Sequence, residues 1–278
     1  MRFRFMVAFL AFATTVSSQP IKVMTYNIRY DNTGDGVNQW ENRKEKVANL
    51  IRKNDPDLIG LQEALINQIK DLLLLLPDYS SYGVGRDDGK EKGEFSCILV
   101  RHARFGVLRD STMWLSETPG IPGSKGWDAQ LPRVATWTEL YDKETKKEIL
   151  YVNTHFDHIG KQARTNSAVM ISNFVTDYSK NKEVAIIVTG DLNVQRNTEA
   201  FKVLIEPNLL MDSKPDWNND PTFCGFDVTN TKCTQIDYIF HSKETVVVGY
   251  TVLRDNDGKF YPSDHLAVLA ELEFLDDK

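Results

Sequence analysis

Apolar and polar positions alternate over residues 21–28 (IKVMTYNI), the period of a strand with one face turned inward. Over residues 41–53 the apolar side chains of Val47, Leu50 and Ile51 recur instead at helical spacing. A short buried strand, 56–63 (PDLIGLQE), ends in an acid, and a second helical run, 65–76, is stopped by Pro77. Strand-like runs follow at 96–101, 107–113, 134–141 and 148–154. Helical patterns at 164–178 and 198–205 flank a strand at 184–189, and strands at 235–241, 245–252 and 266–274 complete the series. Many strands in hairpin-like succession with few helices predict two packed, largely antiparallel sheets with helices outside. The segments 30–40, 115–132 and 214–221, rich in Gly, Pro, Asn and Trp, read as long loops, where substrate choice would reside.

With 278 residues, 41% of them hydrophobic, and no break in composition, the chain suits a single catalytic-size domain over residues 19–278. The opening MRFRFMVAFLAFATTVSSQP has two arginines, then a short apolar run, then small residues. That order is the signature of a secretory signal peptide over residues 1–18, so the expected location is periplasmic or extracellular. Neither this run nor DLLLLL, ended by Pro77, is long enough for a membrane span. The formal net charge is -6, and loss of Arg2 and Arg4 with the leader lowers it further. Such a balance argues against a protein that lives by non-specific grip on nucleic acid. Cys97 reads as an inert core thiol. Cys224 and Cys233 flank GFDVTNTK, and export would permit a disulfide there; their separation in space leaves both states open.

Chemistry gathers at strand ends. Asn27, Glu63, His155, the pair Asp191 and Asn193 and the pair Asp264 and His265 all terminate strands with polar groups a core would not choose, and Asp237 sits inside an apolar strand pattern. Any one acid after a strand is an ordinary turn or cap; the recurrence is what asks for another explanation. Oxygen-rich groups without a Cys/His cluster favour a hard cation such as Mg²⁺, for which Mn²⁺ can substitute, and one or two carboxylates are enough to hold it. Histidines add a group that exchanges protons near neutral pH. Together these point to phosphoester hydrolysis.

MTYNIRY, IGLQEA, NTHFDH, TGDLN, QIDYIF and SDHLAV occur in the order found in the endonuclease/exonuclease/phosphatase superfamily, which the chain resembles over residues 21–274. The resemblance implies a four-layered α/β/β/α sandwich with the site at one edge of its two sheets. It implies Glu63 as the principal metal ligand, with Asn27 and Asp264 beside it. Asp191 would orient or deprotonate the attacking water, Asn193 would hold phosphate or water, and His265, oriented by Asp237, would face the scissile phosphate. His155 would be a second phosphate contact, with Asp157 and His158 behind it. Arg133, at a strand start beside the site, is a candidate bidentate phosphate clamp; Arg164, opening a helix, is a weaker one. The expected activity is that of an exported, monomeric, Mg²⁺-dependent phosphoesterase acting on a small, carbohydrate-like or lipid-like phosphorylated substrate. A secreted nuclease acting on DNA or RNA is the alternative, and a catalytically dead binding module a third reading.

Overall fold

The strand Ile21–Asn27 (β1) is buried along almost its whole length, on both faces. An isolated amphipathic strand would hide one face only, so β1 must lie between two layers. The computed structural model, which describes residues 19–180, 182–206, 209–218 and 220–275, shows why. The signal-peptide reading falls on residues outside this description.

Helix α1 (Trp40–Asn54) buries Trp40, Arg43, Val47, Ala48, Leu50 and Ile51 along one stripe. It ends at Asp55, whose left-handed backbone precedes Pro56, a residue that cannot continue a helix. Strand β2 (Leu58–Gln62) and helix α2 (Ile66–Leu75) follow, then β3 (Tyr79–Tyr82), β4 (Ile98–Arg101) and β5 (Phe105–Trp114). Next come β6 (Val134–Asp142), β7 (Glu148–His155), α3 (Lys161–Ser179), β8 (Ala185–Asp191) and α4 (Glu199–Ile205). The chain closes with β9 (Met211–Asp212), β10 (Asp237–His241), β11 (Thr245–Val252) and β12 (Val268–Phe274).

These strands form two six-stranded sheets, ordered β11-β12-β1-β2-β4-β3 and β5-β6-β7-β8-β10-β9. Each is antiparallel apart from one central parallel pair, β1 with β2 and β7 with β8. Each parallel pair needs a crossover, and α1 and α3 supply them on the outer faces. Three apolar clusters fill the layers. Met24, Ile59 and Leu61 pack under α1 and α2; Val23, Leu58, Ile149 and Ile187 pack between the sheets; Val152, Ile186 and Val188 pack under α3 and α4. The expected four-layered sandwich is therefore the observed one.

Two short strands escaped the sequence pattern. β3 (YSSY) carries serines where an apolar face was sought, and β9 has two residues, too few for any period to show. Within the expected loop 30–40, Thr33–Asn38 forms a short 3₁₀ helix whose Asn32 side chain accepts from Gly34 N. Residues 224–233 form a loop closed by the Cys224–Cys233 disulfide, with Phe223 bridged to Thr234 at its neck.

Toward one edge the inter-sheet core becomes polar. Gln62 Nε2 donates to Asn153 Oδ1 at 2.7 Å and to Thr25 Oγ1 at 3.0 Å, while Thr189 Oγ1 reaches the same Asn153 oxygen at 3.0 Å. Asn153 Nδ2 donates to the Leu61 and Cys97 carbonyls of the facing sheet. All four side chains are fully buried, so these bonds fix how the two sheets meet beneath the strand ends. Gly60 makes room for them: a Cβ there would lie 2.3 Å from Thr189 Oγ1.

Candidate active site

Strands β1, β2, β7 and β8 end at this edge, and β10 and β12, antiparallel to β8 and β1, start at it. Asp191 pairs in register with His155 on one side and Asp237 on the other. From the facing sheet, Asn27 Nδ2 donates to Glu63 Oε1 at 3.1 Å and to Asp191 Oδ2 at 3.0 Å. Three residues just beyond strand ends, Arg29, Glu63 and Asn193, have φ of 56, 60 and 50°. This left-handed backbone costs a residue with a Cβ on the order of 1 kcal/mol, and such strain concentrates at functional sites. It turns the chain so that the side chains face the edge and not the core.

The two histidines beside Asp191 are held in opposite states. His265 Nδ1 lies 2.9 Å from Asp237 Oδ2, and its Nε2 lies 3.8 Å from Asp191 Oδ2. Burial opposes a charge on this ring, but the Asp237 carboxylate, with Asp191 and Asp264 behind it, raises its pKa to about 10. His155 has its pKa held well below the usual histidine range, by burial first and by Arg133 and Arg86 next. Its Nε2 is 3.1 Å from Asn193 Nδ2, whose other proton goes to the Phe156 carbonyl. The ring is therefore neutral and accepts at Nε2. Asp191, which also accepts from Asn193 N at 2.9 Å, has its carboxyl raised to about 7 by burial and by the charge on Asp237. A carboxylate poised near neutrality beside a fixed imidazolium is an arrangement suited to general base catalysis.

Glu63 and Asp264 lie across from this group. Glu63 Oε2 accepts from Tyr30 N at 3.2 Å, and Arg29 reaches both acids at 3.9 Å, Nη1 to Glu63 and Nε to Asp264. Arg29 is already bound bidentately by Asp35, at 3.0 and 3.1 Å. The acids Glu63, Asp191, Asp237 and Asp264 thus face His265 and a shared Arg29, leaving an excess of negative charge. Burial first, with Glu63 adding to it, raises the Asp264 carboxyl against the opposing charges of His265, Arg29 and Arg43. This oxygen-donor set fits a hard divalent cation at Glu63 and Asp264. Asp191, Asp237 and His265 also bring one ligand-type atom each within 4.8 Å of one another. A ring held protonated by Asp237 is a poor metal ligand, so the first pair is the better seat. Asn27, expected beside the metal, is fully buried; its oxygen accepts from Arg29 N at 3.0 Å, and its NH₂ donates to Glu63 and Asp191.

Arg133, buried beside the site, donates from Nε to Asp157 Oδ2 at 3.3 Å, and its Nη2 lies 2.9 Å from His158 Nδ1. Its Nη1 finds no hydrogen-bond partner among the described residues. Asp157 also accepts from Ile159 N and Gly160 N, and despite burial these bonds and Arg133 hold its pKa below the usual carboxylate range. Arg164 does not line the cleft and donates to the Asp157 carbonyl at 2.8 Å. Three participants were not read from the sequence. Arg29 sits inside the NIRY motif without having been singled out; Phe223 rests its ring 4.8 Å from that of His265; Glu94, bound bidentately by Arg86, approaches His155 Nδ1 at 3.8 Å. For Glu94 the only signal was an acid directly before the buried run FSCILV. Arg29, Phe223 and Glu94 line, with Glu63, Asp191 and His265 among others, a cleft of about 460 Å³.

Known proteins share this architecture. A crystal structure of an endonuclease/exonuclease/phosphatase family protein from Bacteroides thetaiotaomicron is 36% identical, covering 93% of this chain and 99% of that one, with a TM-score of 0.87. A mannosyl-6-phosphatase of the same organism is 38% identical, covering 91% and 100%, with a TM-score of 0.85. Nocturnin of Xenopus laevis is 22% identical over 94% of this chain and 75% of its own. The model of the Endonuclease/Exonuclease/phosphatase family matches residues 24–265, from β1 to His265, and the chain belongs to that family.

Proposed function

We propose that the chain is an exported, Mg²⁺-dependent phosphoesterase whose substrate is a phosphomonoester of a sugar-like alcohol. The observation that carries the reaction is the set of opposed protonation states around Asp191: a base near neutrality, an imidazolium fixed by Asp237, and an acid pair able to take a cation. The substrate class is supported by likeness to the mannosyl-6-phosphatase, by a cleft of about 460 Å³ that suits a small ligand, and by the acidic net charge of -6. The CCR4-Not exoribonuclease subunit of Emericella nidulans, 23% identical over 59% of this chain, keeps a nuclease as the second reading.

In this reading Asp191 takes the proton of the attacking water while Asn193 holds water or phosphate in line. His265 places its charge against the phosphoryl oxygens, and Arg133 clamps them with its unpartnered Nη1. His155, neutral, fixes the Asn193 amide. Mg²⁺ held by Glu63 and Asp264 would neutralise charge developing on the phosphoryl group. The Asp237 carboxylate against Nδ1 keeps His265 protonated. Activity on mannose 6-phosphate and other sugar phosphates, on phosphodiesters, on DNA and on RNA, each with Mg²⁺ and with EDTA, tests the proposal. Turnover of sugar phosphates abolished by EDTA supports it; turnover confined to nucleic acid replaces it with the second reading. Export is tested by N-terminal sequencing of protein secreted from the full gene, where Gln19 or a near neighbour should come first.

A further inference from the structure

A second cavity, of about 400 Å³, opens beside the cleft on the α4 side of the second sheet, among Arg196, Lys214, Thr234, Gln235 and Tyr238. Gln195, on its wall, is two residues beyond Asn193, at most about 7 Å of extended chain. Gln235 likewise adjoins Ile236, which lines the catalytic cleft. The two hollows have no lining residue in common and are linked by these two short stretches of chain.

Lys214 is only 7% exposed, yet its ammonium donates to neutral acceptors, Gln235 Oε1 at 2.7 Å and the Asp220 carbonyl at 3.3 Å. The nearby acids are engaged elsewhere: Asp212 binds Arg196 at 2.7 Å, and the Asp220 carboxylate binds Arg254 at 2.9 Å. With its oxygen taken by Lys214, Gln235 leaves its Nε2 buried and without a partner among the described residues. A buried ammonium that forms no ion pair among the described residues, beside an unused amide donor, is costly unless something supplies negative oxygen. Burial first and Arg196 next lower the Lys214 pKa, against the opposing charges of Asp212 and Asp220.

We propose that this cavity is a second oxyanion-binding site, taking a phosphate-like tetrahedral group on Lys214, Gln235 and Arg196 beside the reacting phosphate. None of the residues assigned to hydrolysis takes part, so anion binding here and catalysis in the cleft can fail separately. The anion is either a second phosphate on the substrate or free phosphate.

Crystals soaked in sulfate should show a tetrahedral anion at Lys214 Nζ. Calorimetric titration of EDTA-treated protein with inorganic phosphate should show binding that Lys214→Met weakens about tenfold or more, as for loss of a charge-assisted hydrogen bond, and that Lys214→Arg restores. Arg133→Ala, in the cleft, should leave that event in place. If Lys214→Met does not fold, Gln235→Leu is titrated instead, with the same loss expected. Bisphosphorylated and monophosphorylated sugars separate the sources. A rise in KM confined to the bisphosphorylated sugar in Lys214→Met identifies a substrate phosphate; weaker inhibition by free phosphate with both sugars identifies the free ion. An empty cavity in the soaked crystals, or phosphate bound by Lys214→Met as tightly as by the parent, overturns the proposal.

Discussion

Asp191 accepts from Asn27 and from Asn193 N while lying in register with Asp237, so its charge is both supported and opposed within a few ångströms. A base must be deprotonated to act, and the protein groups alone place the Asp191 carboxyl at about 7, so kcat/KM of the Mg²⁺-loaded enzyme should rise with pH along a limb at or below that value. A cation at Glu63 and Asp264 favours the carboxylate and moves that limb to lower pH. Asp191→Asn should remove the limb and lower kcat by roughly 10² or more while the melting temperature barely changes. Retained turnover with a lost melting temperature would reduce Asp191 to a turn cap. Glu63→Gln should weaken Mg²⁺ binding, measured by calorimetry, and leave unfolding little altered; unchanged affinity would move the cation elsewhere. These residues were legible because their types defy a core. Their charge states were not, since burial and the 2.9 Å approach of Asp237 to His265 exist only after folding.

Elements carry a different kind of information. Gly60, in the middle of β2, is an unremarked residue in the sequence, yet its missing Cβ admits the Gln62–Asn153–Thr189 bonds that join the sheets. Gly60→Ala should cost about 1–3 kcal/mol by overpacking, read as a shifted denaturant midpoint. A wild-type midpoint would mean that the sheets part with ease. At the far end of β10, His241 lies buried with its Nδ1 3.0 Å from Ser213 Oγ. Burial lowers its pKa from 6.5 to about 4. The unfolded chain therefore binds a proton in that window that the folded chain refuses, and stability falls as pH drops between those values. The loss is on the order of 3 kcal/mol when complete. His241→Gln should flatten this part of the pH–stability curve; an unchanged slope would assign the acid sensitivity to other groups.

At the scale of the whole molecule, the Cys224–Cys233 disulfide closes the loop that follows Phe223, and Thr222, in the same neck, accepts from Ile236 N and Asp237 N through Oγ1. A loop of this length contributes about 2–3 kcal/mol by restricting the unfolded chain. The Cys224→Ser, Cys233→Ser variant should therefore melt several degrees lower, roughly 2–4 °C for each kcal/mol. Equal melting of reduced and oxidised protein would show that the neck holds without the bond.

The sequence alone determined the elements with strong periods, the layered arrangement and the identity of the acids and histidines at strand ends. Those features depend on local spacing and on the cost of burying a polar side chain, which one chain position expresses by itself. It left β3 and β9 unseen, because their pairing energy comes from β4 and β10 and not from their own residues. Only the tertiary structure decided that Asn27 lies beneath the acids, that Arg29 is shared between Glu63 and Asp264, that Glu94 approaches His155, and that the buried Lys214 ammonium donates to neutral acceptors. Each of these depends on distances between residues far apart in the chain, and such distances arise when two sheets close on a common core and carry their strand ends to one edge.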